Sequence, residues 1–136
     1  MSFDLRDHTA DVAVEARGRT LDETFAAVAD GLAAAMYEDP PEGGDRFPLT
    51  VTAESREALL FDYLDELIYE RDVRNVLPVD NEAAVTGSGD VWTVEASARG
   101  LPLSSIHARE VKAVTYSEME LVETDDGWRA YVVLDV

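Results

Sequence analysis

Two carboxylates and an imidazole lie close together near the start of the chain, where DHTADV spans residues 7–12. In an extended strand, side chains alternate between two faces, so Asp7 and Asp11 would share one face and His8 would point to the other. His8 and Asp11 can therefore meet only if the backbone turns between them. Asp and Thr are frequent turn residues, and the sequence also allows a simpler interpretation, in which Asp7 or Thr9 caps a turn before a strand.

A second acidic group stands at the other end of the sequence, in the apolar run VVLDV at residues 132–136. There Asp135 lies beside the carboxylate of Val136, where the sequence ends. Two adjacent carboxylates, joined by Asp11 from another strand, would give the all-oxygen ligand set that Ca²⁺ and Mg²⁺ prefer. An ordinary acidic terminus explains the same residues, and spacing alone does not decide between the two interpretations.

Length and composition fit one globular domain over residues 1–136, with 46% hydrophobic residues and enough length for a buried core. No apolar run reaches the roughly 18 residues of a transmembrane helix, and the first residues lack the basic and apolar regions of a signal peptide. The chain has no cysteine, which excludes disulfides and thiolate metal sites. These features predict a cytoplasmic protein with no membrane association, and they leave open whether it forms homo-oligomers.

The charge is strongly unbalanced, with 29 acidic against 11 basic residues and a formal net charge of −18. Such a surface repels phosphates, so we expect no direct binding of nucleic acid. Ten of the basic residues are arginine, and Lys112 is the only lysine. High acid content with almost no lysine suggests adaptation to high salt, where screening removes most of the self-repulsion. The acidic surface by itself therefore does not indicate a basic partner.

Hydrophobic periodicity predicts two helices, at residues 20–36 and 55–72. The first begins at a capping box formed by Thr20 and Glu23, and Ser55 is the expected N-cap of the second. In each helix, apolar residues recur at spacings of three and four and predict one buried face. The acidic residues of the second helix predict a solvated face rather than a cation site.

Alternating apolar and polar residues predict several strands, most of them in the second half of the chain. We place them directly after residue 11 and at residues 47–53, 76–85, 91–99, 111–116 and 128–136. GLP at residues 100–102 is expected to break a strand, and TDDG at residues 124–127 is a hairpin signal. The order of elements predicts a two-layer α+β domain, in which two helices pack on one mainly antiparallel β-sheet.

Four segments together resemble the archease family. They are DHTADV at residues 7–12, LFDYLDELIY at 60–69, VKAVTY at 111–116 and VLDV at 133–136, in the order of the family and across essentially the whole chain. Ser117 departs from the pattern, since many members carry His after the Thr-Tyr pair, and its side chain is assigned no role.

The resemblance implies a function that the residues alone would not indicate. Archeases are accessory proteins of the tRNA-splicing RNA ligase, which promote guanylylation of the ligase and support its turnover without being ligases themselves. The resemblance also implies a metal site formed by Asp11, Asp135 and Val136, which binds Ca²⁺ or another divalent cation. His8 is a poor Ca²⁺ ligand, and its expected role is that of a neighbour that orients Asp7 or Asp11.

Two other functions stay open beside the ligase activator. One, also implied by the resemblance, is a chaperone or specificity modulator of an RNA-modifying methyltransferase. The other is a small metal-dependent hydrolase built on the carboxylates and His8. A chain with no cysteine and two histidines offers no convincing pair of nucleophile and base. We therefore expect an activator rather than an enzyme.

Lys112 is a further candidate because it lies in the VKAVTY segment and is the only lysine. Lysine is a compact point charge on a flexible stem, whereas arginine is a broad planar fork. A position beside carboxylates or a phosphate could accept lysine and reject arginine. We expect Lys112 at the same end of the sheet as Asp11 and Asp135, with its ammonium within reach of one of them.

Overall fold

The computed structural model describes residues 2–8 and 11–136 of the chain. In chain order these residues form β1 (Ser2–His8), β2 (Asp11–Gly18), α1 (Leu21–Met36), β3 (Asp45–Ala53), α2 (Arg56–Arg74), β4 (Val76–Ser88), β5 (Val91–Pro102), a 3₁₀ turn (Leu103–Ser105), β6 (Ala113–Thr124) and β7 (Gly127–Asp135). Each paired set of strands among these residues is antiparallel.

The strands of this described part divide between two sheets. One has four strands in the order β1-β2-β7-β6, and the other has three in the order β3-β5-β4. The predicted α+β class, with two helices and antiparallel strands, is confirmed. The prediction of one sheet is wrong, since the strands form two sheets. Alternation identifies a strand but not its pairing partner.

Both helices pack against strands of both sheets. α1 contacts β1, β2 and β7 of the four-stranded sheet and β4 of the three-stranded sheet. α2 contacts β6 of the four-stranded sheet and β3, β4 and β5 of the three-stranded sheet. Gly31 allows α1 to lie close to β2, since a Cβ at this position would be 2.5 Å from Cγ1 of Val14. The first strand pair is thus packed tightly against the helical layer.

Both helices begin directly after their predicted N-cap residues. Thr20 Oγ1 accepts a hydrogen bond of 3.1 Å from the backbone N–H of Glu23, and Ser55 Oγ accepts one of 3.0 Å from that of Ala58. The second helix extends two residues beyond its predicted end and stops at Asn75, which adopts a left-handed conformation. Within the described residues, neither helix combines the length and the apolar character that crossing a bilayer requires.

Several strand boundaries differ from the prediction, and β6 for example runs to Thr124 rather than ending at residue 116. Residues 2–8 form β1, which the sequence pattern did not indicate as a strand. The predicted break at residues 100–102 is wrong, because Gly100 pairs with neighbours on both sides and Pro102 ends β5, where its missing N–H does not interrupt the ladder. β6 begins at Ala113, so Lys112 precedes the strand instead of lying in it.

A polar cluster lies where α1 meets β4. Asp30 Oδ1 accepts hydrogen bonds from the backbone N–H and from Nδ2 of Asn81, at 3.0 and 2.9 Å. Burial raises the pKa of Asp30, and the hydrogen bonds from Asn81 offset this only in part. The folded chain therefore binds this proton more tightly than the unfolded chain does. Stability falls as the pH rises from the unfolded pKa through the folded one.

We expect Asp30→Asn to increase the free energy of unfolding at neutral pH, because asparagine keeps an oxygen acceptor for Asn81 and removes the partly buried charge. The gain should shrink as the pH falls below the pKa of Asp30, where the wild-type carboxyl is also neutral. Urea unfolding from neutral to acidic pH measures the effect. Asp30→Leu is the control, since it removes the acceptor of the Asn81 backbone N–H and leaves Nδ2 of Asn81 only its 3.3 Å contact with the Pro78 carbonyl, which should cost about 1–3 kcal/mol. A leucine variant as stable as the wild type would contradict this role for Asp30.

Candidate functional site

The register of β2 and β7 places Asp11 directly opposite Asp135. In the same ladder Val12 faces Leu134, and both of these side chains are buried in the core. Because successive side chains point to opposite faces of a strand, the two aspartates lie together on the face away from that core. Side chains directly opposite in such a ladder have Cβ atoms about 4.5–5.5 Å apart. The structure thus brings together two of the three predicted cation ligands.

The end of β7 is held in place on its other edge as well. Ala113 of β6 pairs with Asp135 on the side away from β2, and the backbone N–H of Lys112 donates a 2.8 Å hydrogen bond to the Asp135 carbonyl. Val136 follows directly, is half-buried and packs against the hydrophobic core. These contacts keep Asp135 in register where an unsupported segment would fray.

Lys112 directly precedes Ala113, the first residue of β6, which pairs with Asp135. Its backbone hydrogen bond places the start of its side chain at the same end of the sheet as the aspartate pair. Lys112 is exposed, whereas Val111 before it is fully buried. Contact of its ammonium with Asp11 or Asp135 stays a prediction.

Asp7 and His8 belong to β1, where their backbones pair with Val12 and Asp11. The chain therefore reverses direction between His8 and Asp11, as the turn expected from the sequence requires. The side chains of Asp7 and His8, and the whole of residues 9–10, lie outside the described part of the structure. The proposed roles of these two side chains as neighbours of Asp11 stay predictions.

An ion-pair network occupies the same outer face further along β2 and β7. Arg129 donates to Glu15 Oε2 from Nε at 3.1 Å and from Nη2 at 2.7 Å, and to Glu120 Oε2 from Nη1 at 2.7 Å. The hydrogen bonds to Glu120 and Glu15 raise the pKa of Arg129. Ala13 and Val133, which are 0% and 2% exposed, lie between this network and the aspartate pair. Arg129 therefore forms its ion pairs with Glu15 and Glu120.

The aspartate pair offers only oxygen atoms to a ligand. Among the residues that the structure describes, no three His, Asp or Glu side chains form a group that could hold a metal ion. A cation at the pair would need additional oxygen donors from water, from the Val136 carboxylate or from a partner. Such a donor set suits Ca²⁺ or Mg²⁺, whereas Zn²⁺ sites are built mainly from nitrogen and sulfur ligands.

Sequence reasoning misses Arg71, a buried arginine in the last turn of α2. Its side chain is 10% exposed, and it follows the buried Leu67 at the helical spacing of four. Arg71 donates to Asp72, to the sulfur of Met36 and to the backbone carbonyl of Val111. The signal was available in the sequence, because a charged residue on an apolar helix stripe needs specific partners to be buried.

Comparisons with known proteins converge on one family. The chain matches the archease protein family over residues 3–136. It is 32% identical to the protein archease of Methanosarcina barkeri, with 98% of this chain and 95% of that protein covered. It is 34% identical to the protein archease of Thermococcus gammatolerans, with 96% and 95% covered.

Solved structures show the same fold. The solution structure of Methanobacterium thermoautotrophicum protein 1598 matches with a TM-score of 0.82 and 29% identity, and the match covers 98% of both chains. The crystal structure of a Thermotoga maritima archease, described as a possible chaperone, matches with a TM-score of 0.62 over 96% of this chain and 94% of that chain. At 20% identity, this second similarity concerns the fold alone.

Proposed function

The chain belongs to the archease family, and we propose that it acts in the cytoplasm as an accessory protein that activates a tRNA-splicing RNA ligase. The activation consists of faster guanylylation of the ligase and support of its repeated turnover. The observation that supports this most directly is the cross-strand pair of Asp11 and Asp135. These are the residues onto which the family resemblance maps the functional site.

The proposal assigns the aspartate pair to a divalent cation, in the first instance Ca²⁺. Asp11 and Asp135 hold the ion, and the carboxylate of Val136 joins them. The fit rests on donor chemistry, because carboxylates are the oxygen ligands that Ca²⁺ prefers. When bound, the cation balances the negative charge of two carboxylates that the register of β2 and β7 holds opposite each other. The rest of the ion's shell is open to water or to a group from the ligase.

Lys112 has a separate role in the proposal. Its backbone is fixed beside Asp135, while its side chain is exposed. A single flexible ammonium at this place can contact a carboxylate of the pair or a phosphate group presented by the ligase. With the cation, it concentrates positive charge at one end of a chain whose formal net charge is −18. The acidic remainder of the surface disfavours direct RNA binding, so the proposed partner is the ligase itself.

The proposed role of the aspartates can be tested by guanylylation of the ligase from the same organism. We expect wild-type protein with GTP and Ca²⁺ to accelerate formation of the ligase–GMP adduct. Asp11→Asn or Asp135→Asn should reduce this acceleration by at least about tenfold, because each removes a charged ligand without a change of volume. Asp126→Asn is the matched control, since this exposed aspartate lies just before β7, at the far end from Asp135.

Three outcomes of this assay separate the candidate functions. Full activation by either aspartate variant would show that the pair has no part in activation. Unchanged guanylylation with altered methylation by an RNA-modifying methyltransferase would support the alternative of a chaperone or specificity modulator. Substrate turnover by the chain without a partner would support a hydrolase.

The contribution of Val136 can be tested with a chain to which one glycine is added after this residue. The addition moves the terminal carboxylate away from Asp135, and we expect weaker Ca²⁺ binding in calorimetry and weaker ligase activation. A chain in which the added residue leaves both quantities unchanged would remove Val136 from the ligand set. Val136→Ala is the control, because it keeps the carboxylate in place and alters only the apolar contact with the core.

Lys112→Arg tests whether the position requires a compact cation. We expect ligase activation well below wild type with little change in melting temperature, because the broad guanidinium does not match a site shaped for an ammonium. Arg19→Lys, a basic substitution just beyond the opposite end of β2, is the control and should be silent in both measurements. Full activation by Lys112→Arg would show that only charge matters at this position.

A further inference from the structure

The peptide group between Val111 and Lys112 is held at both of its polar ends. Its carbonyl, from Val111, accepts a 2.7 Å hydrogen bond from Nη1 of Arg71. Its N–H, from Lys112, donates a 2.8 Å hydrogen bond to the carbonyl of Asp135. Because a peptide unit is planar and rigid, fixing the carbonyl also fixes the direction of the N–H. One guanidinium in α2 is therefore linked through this peptide group to the end of β7.

The guanidinium of Arg71 is itself well fixed. Its Nε donates to Asp72 Oδ1 at 2.9 Å, and Nη1 also approaches the sulfur of Met36 at 3.3 Å. Removing a charged side chain from water is unfavourable unless hydrogen bonds replace the lost hydration. Arg71 meets this condition with an acidic neighbour and a backbone carbonyl. It thereby joins the end of α1, the last turn of α2 and the segment that leads into β6.

We propose that Arg71 is a positioning residue for the candidate cation site, acting through the Val111–Lys112 peptide on Asp135 and on the start of the Lys112 side chain. The inference rests on the proposed function, since it concerns the same aspartate pair. A positive donor on the carbonyl polarises the peptide and strengthens the hydrogen bond that its N–H donates. This bond and the pairing of Ala113 with Asp135 hold the side of β7 that faces β6. Asp135 then stays opposite Asp11 before any cation binds.

Arg99 gives a matched comparison for a purely structural role. It too is an arginine with a mostly buried side chain, 16% exposed, and it donates from Nη1 to the carbonyls of Pro41 and Gly43 at 3.0 and 2.6 Å. Its Nε donates to Asp80 at 2.7 Å. Arg99 therefore holds a loop by the same chemistry, but in the other sheet, where it has no contact with the aspartate pair.

The decisive experiment compares Arg71→Met with Arg99→Met in two measurements that do not involve the ligase. Calorimetry gives the dissociation constant for Ca²⁺, and amide hydrogen exchange followed by NMR reports on the N–H of Lys112. Methionine replaces most of the apolar stem of arginine and is smaller than arginine, so it fits in the space that the Arg71 side chain occupies. The two variants should lose comparable thermal stability, because each loses a similar set of hydrogen bonds.

We expect Arg71→Met to weaken Ca²⁺ binding about ten- to a hundredfold, the range seen when groups that orient metal ligands are removed. Exchange of the Lys112 amide should accelerate at least about tenfold relative to Arg99→Met, since its hydrogen bond loses a charged neighbour. Arg71→Lys keeps the charge without the planar fork, and both quantities should fall between those of wild type and methionine. This lysine variant also serves if Arg71→Met does not fold.

Two failures can be told apart. If wild-type protein binds no Ca²⁺, the proposed cation site fails, and the inference that rests on it fails with it. If wild-type protein binds Ca²⁺ and the Arg71 variants match Arg99→Met in affinity and in Lys112 exchange, the cation site stands and the positioning role of Arg71 is overturned.

Discussion

Burial of Val12 and Leu134 on one face of β2 and β7 keeps the paired Asp11 and Asp135 on the other face. A shift of the register by one residue would move Val12 or Leu134 out of the core and bring a carboxylate into it. Exposing a buried valine or leucine costs about 1.5–3 kcal/mol, and burying an uncompensated carboxylate costs more. The hydrophobic core thus specifies the carboxylate pair, although neither aspartate contributes to that core.

A second constraint acts on the last residues of β7, which the core alone does not secure. Asp135 is exposed, and its carbonyl is held by the peptide that Arg71 anchors from the helical layer. The core therefore decides which face Asp135 occupies, and the anchored peptide decides how well the strand end keeps that position. The two effects come from different parts of the fold, so each can be altered without the other.

The elements with strong periodicity could be predicted from the sequence. Both helices, their caps at Thr20 and Ser55 and the hairpin at residues 124–127 depend on neighbouring residues, and the structure contains them. The division of the strands between two sheets could not be predicted, because pairing depends on residues far apart in the chain. The local break signal at residues 100–102 failed for the same reason, since Gly100 pairs on both edges and the next two residues still pair with β4.

The candidate site shows the same limit. Motif resemblance selects Asp11 and Asp135, but only the register shows that they are direct neighbours. Arg71 stands out from the apolar stripe of its helix, yet its importance depends on a carbonyl 40 residues away in sequence. Spacing within one element reveals which residues are unusual. The contacts between elements determine what those residues do.

Carboxylates are so abundant in this chain that closeness alone cannot distinguish a cation site. On α2, Asp62 and Asp65 are also near each other, and the pKa of Asp62 is raised by burial and then by the charge of Asp65. Both of these side chains are exposed, so they can rotate apart into water and relieve their repulsion. The backbone of α2 is hydrogen-bonded as regularly as that of β2 and β7, and Asp135 is exposed as well, so side-chain mobility does not distinguish the two pairs. Asp62 and Asp65 are near each other because they are three residues apart on one helix. Asp11 and Asp135 are far apart in sequence and are brought together only by the register of two strands, and this dependence on the tertiary fold distinguishes the pair from the acidic surface.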